Sequence, residues 1–483
     1  MRHDVIIVGG GVSGLATGYW LRALRPELSV VVLEAGESAG GHVTSTSEEG
    51  FTVDWGPSAV HAGAPDTQAL IEALGLDSEI VPSAPGAQRR FVVRRGALVA
   101  VPGSPRALVA SPLLSPAGKL RALLEPLVRR GADADESVSE FLARRFGRAA
   151  AEAIDEVLVT GLVAGDPARL SASALFPRLV ALEREHGSLL RGFVAQRRTV
   201  RPAGRPGASG GPDSLAGRGS ASGATGMFTF SGGLGRLTVA LASALGPALL
   251  TDARVNAVRA SEDGFHLELA RGRRLAAASL VLATPAPVTA DLVSALSEAA
   301  ARELRCIPYV GVGVAAVGYA RDTLLQVPDG FGFLAPRGQG VRSLGVLFST
   351  STFPGLAPGG GVLLRAITGG SLDADFLDLD DAEALAEVKH DLEVTLGITA
   401  ATSFARYRRL AGAIPQYETG HAARLVRIEE ALAPWPGLQL IGNAYRGVGV
   451  NDCLREARAL SRQLAATRTP PAAPVRSGGP YRS

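Results

Sequence analysis

Cysteine is nearly absent. Cys306 and Cys453 are the only two in 483 residues, and two thiols so far apart build neither a disulfide framework nor a cysteine-rich zinc site. The seven histidines form no HExxH motif or paired cluster, so metal chemistry has no evident ligand set. An excess of one charge is missing too: 49 Lys+Arg stand against 46 Asp+Glu, spread along the chain, for a formal charge of +3. That balance lacks the basic stripe of a nucleic-acid binder. Lysine is reduced to Lys119 and Lys389, so almost all positive charge is arginine. No run approaches the roughly 18 apolar residues of a spanning helix. An apolar strand begins at Asp4 with no charged n-region, h-region or cleavage site ahead of it, so the expected compartment is the cytoplasm.

What is present is an ordinary globular composition, 46% hydrophobic and 20% charged, long enough for two or three domains. DVIIV at 4–8 reads as a buried strand, 9–14 as a glycine turn, 13–25 as a helix and SVVVLE at 29–34 as a second buried strand. Strand–turn–strand patterns over 254–283 read as a meander returning to this β–α–β unit. From about 85 to 195 the texture turns helical, broken by prolines and carrying Arg129, Arg130, Arg144 and Arg145 among apolar residues. Residues 196–226, rich in Arg, Gly, Ser and Pro, read as a loop. A strand-rich stretch at 306–370 and an amphipathic helix at 379–396 suggest a second sheet domain. A strand at 438–442, a glycine loop at 443–450 and a helix at 451–466 precede a tail expected to be disordered.

The chemistry-bearing motif is GGGVSG. Gly9, Gly11 and Gly14 follow a strand and open a helix, which permits a tight turn, close approach of a pyrophosphate and close helix–strand packing. The helix start favours negative charge. Glu34 lies 20 residues beyond Gly14 at a strand end, where a carboxylate accepts ribose hydroxyls. Nicotinamide and flavin folds share this fingerprint. Gly40-Gly41 in ESAGGHV, the turn Gly56-Pro57-Ser58, and GNAYRGVGVNDCLREARAL at 442–460 argue for FAD, because they place flavin-type elements at both ends of the chain. The last is a glycine loop before a helix read as capped by Asn451 or Asp452, whose start can stabilise charge on a reduced flavin. With their neighbours these elements give a cofactor set of Gly9, Gly10, Gly11, Val12, Ser13, Gly14, Glu34, Ala35, Gly41, His42, Gly56, Pro57, Ser58, Ala59, Val448, Gly449 and Val450, to which Val255, in the meander, is added as an expectation outside these motifs.

GGGVSGL, TGLVAGDPARLSASALFP (160–177), GFGFLAP (330–336), SLGVLFSTSTFP (343–354), IPQY (414–417) with Gly420-His421, and GNAYRGVGVNDC (442–453) occur in that order over nearly the whole chain. Together they resemble the oxygen-dependent protoporphyrinogen oxidases, with myxobacterial members nearest. Two departures stand out: Ser58, where relatives often carry Asn or Arg, and the length of the 196–226 loop.

The resemblance implies an α/β fold, α+β overall: a glutathione-reductase-like Rossmann FAD domain (1–84, 226–300 and 405–467), an inserted helical, membrane-associating domain (85–195), a loop (196–225), a sheet-based substrate domain (301–404) and a disordered tail (468–483). It implies hydride transfer from a porphyrinogen meso carbon to FAD, repeated until six electrons are removed, with dioxygen as acceptor and hydrogen peroxide released. Arg90 aligns with a propionate-binding arginine, Phe331, Leu334, Leu347 and Ile367 with an apolar pocket, and Gly161 with backbone beside the ring. No catalytic acid or base is implied, and no metal. Expected partners are the porphyrinogen, dioxygen, a membrane surface touched peripherally on its inner face, and a second copy in a homodimer. Coproporphyrinogen III is the alternative substrate. A flavin amine oxidase is the alternative enzyme, but it commonly needs a lysine near the flavin, a role neither Lys119 nor Lys389 is placed to fill. A carotenoid desaturase would have a different carboxyl-terminal loop, and a flavin-binding protein without activity is separated from the enzyme by peroxide production.

Overall fold

The computed structural model describes residues 1–102, 110–131, 135–199 and 226–466. Two seven-stranded sheets dominate it. The first runs Leu249–Leu250, Val30–Leu33, Arg2–Val8, Arg274–Leu282, Gly264–Leu269, Val255–Ser261. Arg2–Val8 pairs in parallel with Val30–Leu33 and with Arg274–Leu282. The far edge of Arg274–Leu282 is divided: Gly264–Leu269 pairs antiparallel with its start and Leu438–Leu440 parallel with its end. The helix Val12–Leu24 crosses between the first two strands, as DVIIV and SVVVLE require of buried parallel strands. The helix Val450–Ala466 packs on it, with Leu15, Leu21, Leu454 and Ala457 fully buried between them. The first and last described helices therefore meet.

The second sheet runs Phe404–Pro415, Tyr309–Tyr319, Val362–Gly369, Gly345–Phe348, Gly332–Leu334, Arg90–Arg94, Ala97–Ala100. Period-two alternation gives it two unlike faces. Phe333, Val346, Phe348, Leu364 and Ala366 form a closed core beneath the helix Asp381–Leu396. Leu334, Leu347 and Ile367, their neighbours in sequence, point the other way and stay partly exposed.

Residues 90–100 differ from the sequence reading, which took them as helical. RFVVRRGALVA is a β-hairpin whose turn residues Arg95 and Gly96 both have positive φ (54° and 74°), the backbone a type I′ turn demands. Arg90–Arg94 then pairs in parallel with Gly332–Leu334. Helices follow from Pro116, and those between Val138 and Thr199 share a core of Val138, Phe141, Leu142, Val159 and Leu182. The arginines expected to face a membrane divide. Arg145 is fully buried and ion-paired with Glu125, and Arg144 holds Glu136 and Glu183, both at 2.6 Å; Arg129 and Arg130 are exposed. The expected loop lies outside the described residues from 200 to 225, as does the tail from 468; the helix Leu189–Thr199 enters the loop's start. No described helix is long and apolar enough to cross a membrane.

Candidate functional site

The glycine fingerprint does what its spacing requires. Gly9 has φ 111°, and a Cβ at Gly14 would stand 1.9 Å from the Gly9 carbonyl oxygen, so neither position accepts a side chain. At Gly11 an added Cβ would meet nothing within 4 Å. The cradle is open there, at the start of a helix with no side-chain cap and no acidic residue in its first turn. Its unpaired N–H groups suit a phosphate. Val12 and Ser13 form that first turn, both buried. Glu34 accepts the Gly10 and Gly36 N–H groups, each at 2.8 Å, and a carboxylate with about four acceptor sites still has capacity for hydroxyls. Ala35 beside it is exposed.

The other cofactor segments converge here. A Cβ at Gly41 would lie 3.1 Å from Gly11 Cα, and one at Gly56 would lie 1.9 Å from the His42 carbonyl oxygen. The second glycine motif thus sits on the first, and the Gly56 turn on the second. Pro57 and His42 are exposed, Ser58 and Ala59 partly buried. Val255 opens a strand just after Asp252 and Ala253, whose N–H groups bond the carbonyls of Gly36 and Glu34. Val448 packs toward the helical core, and Val450 belongs to the first sheet's core. Asn451 and Asp452, read as caps, are inside the helix, which begins at Val450. Asp452 pairs with Arg455. The Asn451 amide nitrogen donates to the His61 carbonyl at 3.0 Å, and its oxygen is buried without a partner among the described residues. An open glycine cradle, a carboxylate with spare capacity and an orphaned amide oxygen at a second helix start together fit a dinucleotide such as FAD.

The residues expected at the substrate gather on the open face of the second sheet. Leu334 meets Gly161, where an added Cβ would stand 2.9 Å from Leu334 Cδ1. Gly345 pairs with Ile367 and Leu347 with Arg365 across the strands. The Arg90 guanidinium lies 4.7 Å from the centre of the Phe331 ring, within cation–π range. Arg89 goes elsewhere, to an exposed ion pair with Asp329. Leu347 also lines a cleft with Asp54, Ser58, Thr352 and Arg365, so the substrate face and the Gly56–Ala59 turn share a wall. A larger cavity lies on the helical layer, lined by Arg130, Glu136, Arg144, Glu183 and Arg184 among others. None of Leu334, Leu347, Ile367 and Arg90 lines it.

Three side chains were not foreseen as parts of the site. Tyr417 and His421 stack at 4.1 Å and are both almost fully buried. Tyr417 donates to the Asn443 carbonyl (2.5 Å) and accepts the Gly447 N–H (3.0 Å), while His421 Nε2 lies 3.1 Å from the Tyr445 carbonyl. Burial, the largest influence, pushes the His421 pKa down, and a carbonyl oxygen opposite Nε2 can only accept, so Nε2 is the donor. The pair clamps the 442–449 loop. IPQY and Gly-His were visible as motifs, but nothing local told their role. Arg365 is the third, a single charge within VLLRAITG.

The chain matches the family described as flavin containing amine oxidoreductase over residues 12–465. It belongs to that family. As a member it is a flavin oxidoreductase, with FAD as its cofactor. It is 32% identical to the protoporphyrinogen oxidase of Bos taurus, covering 97% of this chain and 99% of that one. Against the coproporphyrinogen III oxidase of Bacillus subtilis (strain 168) the identity is 28%, covering 95% and 97%. Among solved structures a putative protoporphyrinogen oxidase from Exiguobacterium sp. 255-15 superposes with a TM-score of 0.80 at 26% identity, covering 96% and 98%. A putrescine oxidase superposes with a TM-score of 0.66 at 16% identity, covering 97% and 100%, which shows the fold alone. Of the chain's two lysines, Lys119 is in the helix Pro116–Leu123, and Lys389 is exposed on the helix Asp381–Leu396, which covers the second sheet's closed face.

Proposed function

We propose that this flavin oxidoreductase converts protoporphyrinogen IX to protoporphyrin IX with dioxygen as acceptor, releasing hydrogen peroxide. The observation that carries the reading is the open sheet face, where Leu334, Leu347 and Ile367 form an apolar wall with Arg90 over Phe331 near its edge. A flexible apolar macrocycle with two propionates needs such a wall and a guanidinium for carboxylate. FAD, held by the glycine cradle, Glu34 and the 442–450 loop, supplies hydride acceptance. The residues of the chain bind the ring, orient it and exclude water. The division into cofactor and substrate regions is part of this proposal, with the 90–100 hairpin and the strand Phe404–Pro415, given from residue 405 to the FAD domain in the sequence reading, moved to the substrate sheet.

Coproporphyrinogen III carries two further propionates, and the Bacillus subtilis relative keeps it in view. Those carboxylates would lie against aliphatic side chains, and the cation on the same strand as Ile367, Arg365, already donates to Asp54, Gly56 and Ser58, while Arg408, across Val314 from Ile367, is exposed. Burying an uncompensated carboxylate is costly. Peroxide release in air on adding each porphyrinogen tests the reading, and no peroxide with either would end it.

We also propose peripheral contact with an anionic membrane. Leu120, Leu123, Leu124 and Leu127 are 61%, 59%, 44% and 76% exposed, a stripe at helical spacing beside the exposed Arg129 and Arg130. Apolar area flanked by basic charge supports interfacial binding. Flotation with phosphatidylserine vesicles at low salt tests it, with Leu123→Asp and Leu127→Asp expected to abolish binding.

A further inference from the structure

A guanidinium buried on an aliphatic strand is costly to keep charged, so its partners show what it is there to hold. Arg365 is 6% exposed and shares its face of Val362–Gly369 with Leu363 and Ile367. Nη1 donates to the carbonyl oxygens of Asp54 (2.7 Å) and Gly56 (2.9 Å), and Nη2 donates to Ser58 Oγ (3.2 Å). One rigid fork therefore grips three alternate positions of a single turn. Pro57, at the centre of that turn, has no N–H with which to fix it otherwise.

The counter-charge is Asp54, itself 5% exposed, whose Oδ1 accepts from Ser45 Oγ (2.5 Å) and the Leu234 N–H (2.8 Å). Burial disfavours charge on both groups and each favours it on the other, so the pair stands or falls together. Across the strand Arg365 faces Leu347. The residue that ties down the Gly56–Ala59 turn is thus built into the wall that receives the substrate.

From this geometry we propose that Arg365 is a positioning residue: it sets the separation between the Leu347–Ile367 wall and the Gly56–Ala59 turn, and so the approach of the substrate carbon to the flavin. This inference rests on the function proposed above and adds a residue to it. Lysine keeps the charge but offers a compact ammonium in place of the planar fork, so it cannot hold both carbonyls and the hydroxyl in one plane. A misplacement of about 1 Å at a reacting centre can cost on the order of a hundredfold.

The test compares Arg365→Lys, Ser58→Ala and the charge-neutral double variant Asp54→Asn with Arg365→Met, measuring melting temperature, flavin content, KM and kcat per bound flavin. The double variant removes both buried charges, which guards against simple unfolding. We expect kcat per bound flavin to fall roughly tenfold or more in Arg365→Lys and in the double variant, and a few-fold in Ser58→Ala, with KM within about twofold. The flavin absorption bands should shift in all three. A merely structural arginine would lower melting temperature and flavin content while leaving turnover per bound flavin intact. That outcome, or unchanged turnover in Ser58→Ala should the other two fail to fold, would overturn the inference. Wild-type protein inactive on every porphyrinogen would instead overturn the proposed function.

Discussion

Leu334 and Gly161 are packed so closely that a methyl group on Gly161 would stand 2.9 Å from Leu334 Cδ1. Gly161 is in the helix Arg148–Val163 and Leu334 on the second sheet, so the contact seats the helical layer on the substrate face. Alanine suits a helix interior better than glycine, so the added methyl group is met chiefly by a shift of Leu334. Gly161→Ala should therefore fold and hold FAD normally while kcat/KM for the porphyrinogen falls roughly tenfold, about 1.4 kcal/mol. Unchanged kinetics would detach Gly161 from the site.

Tyr417→Phe removes the group that joins the Asn443 carbonyl to the Gly447 N–H. The stack on His421 survives. Leaving a buried donor and acceptor unmatched costs about 1–3 kcal/mol, so the FAD dissociation constant should rise roughly tenfold in a fluorescence titration of apoprotein. An unchanged constant would show that the clamp does not serve the flavin.

Cys453 is buried in the first turns of Val450–Ala466, where burial pushes its thiol up to about 11. A raised pKa means that the neutral thiol prevails below that pH, and the thiolate is the nucleophile. Cys306 is exposed, at the end of the helix Glu298–Arg305. The flavin should be non-covalent and leave completely on acid precipitation. A pellet that stays yellow would contradict this.

Arg90→Ala should lower kcat/KM roughly thirtyfold or more, because losing a charge-assisted partner for a carboxylate costs about 2–5 kcal/mol. Flavin content should not change. Steady-state kinetics on flavin-normalised enzyme decide it, and kinetics equal to the wild type would remove Arg90 from the site.

The cofactor half of the site was legible because its constraints are local. Gly9 needs a positive φ, Gly14 has no room for a side chain, and Glu34 ends a strand at a fixed spacing, all written within one β–α–β unit. The proposed substrate face was reached only through resemblance, since Leu334, Leu347 and Ile367 look like the core leucines and isoleucines of any strand until the sheet's two faces are known. The 90–100 hairpin escaped because Arg95-Gly96 is an uncommon pair for a type I′ turn. The burial of Arg145 was not legible, because its partner Glu125 comes from a separate turn 20 residues earlier. Arg365 was the strongest missed signal, for a lone charge on an aliphatic face must meet buried acceptors, and these come from residues 54–58, more than 300 positions away.

Anaerobic mixing of the flavin-loaded protein with each porphyrinogen, followed by flavin absorbance, tests the central claim most directly. The account predicts that protoporphyrinogen IX bleaches the flavin within turnover time and that coproporphyrinogen III does so at least about tenfold less efficiently, because its extra carboxylates meet an aliphatic wall. Equal or faster bleaching by coproporphyrinogen III would contradict the substrate assignment, and a flavin that stays oxidised with both would contradict the function.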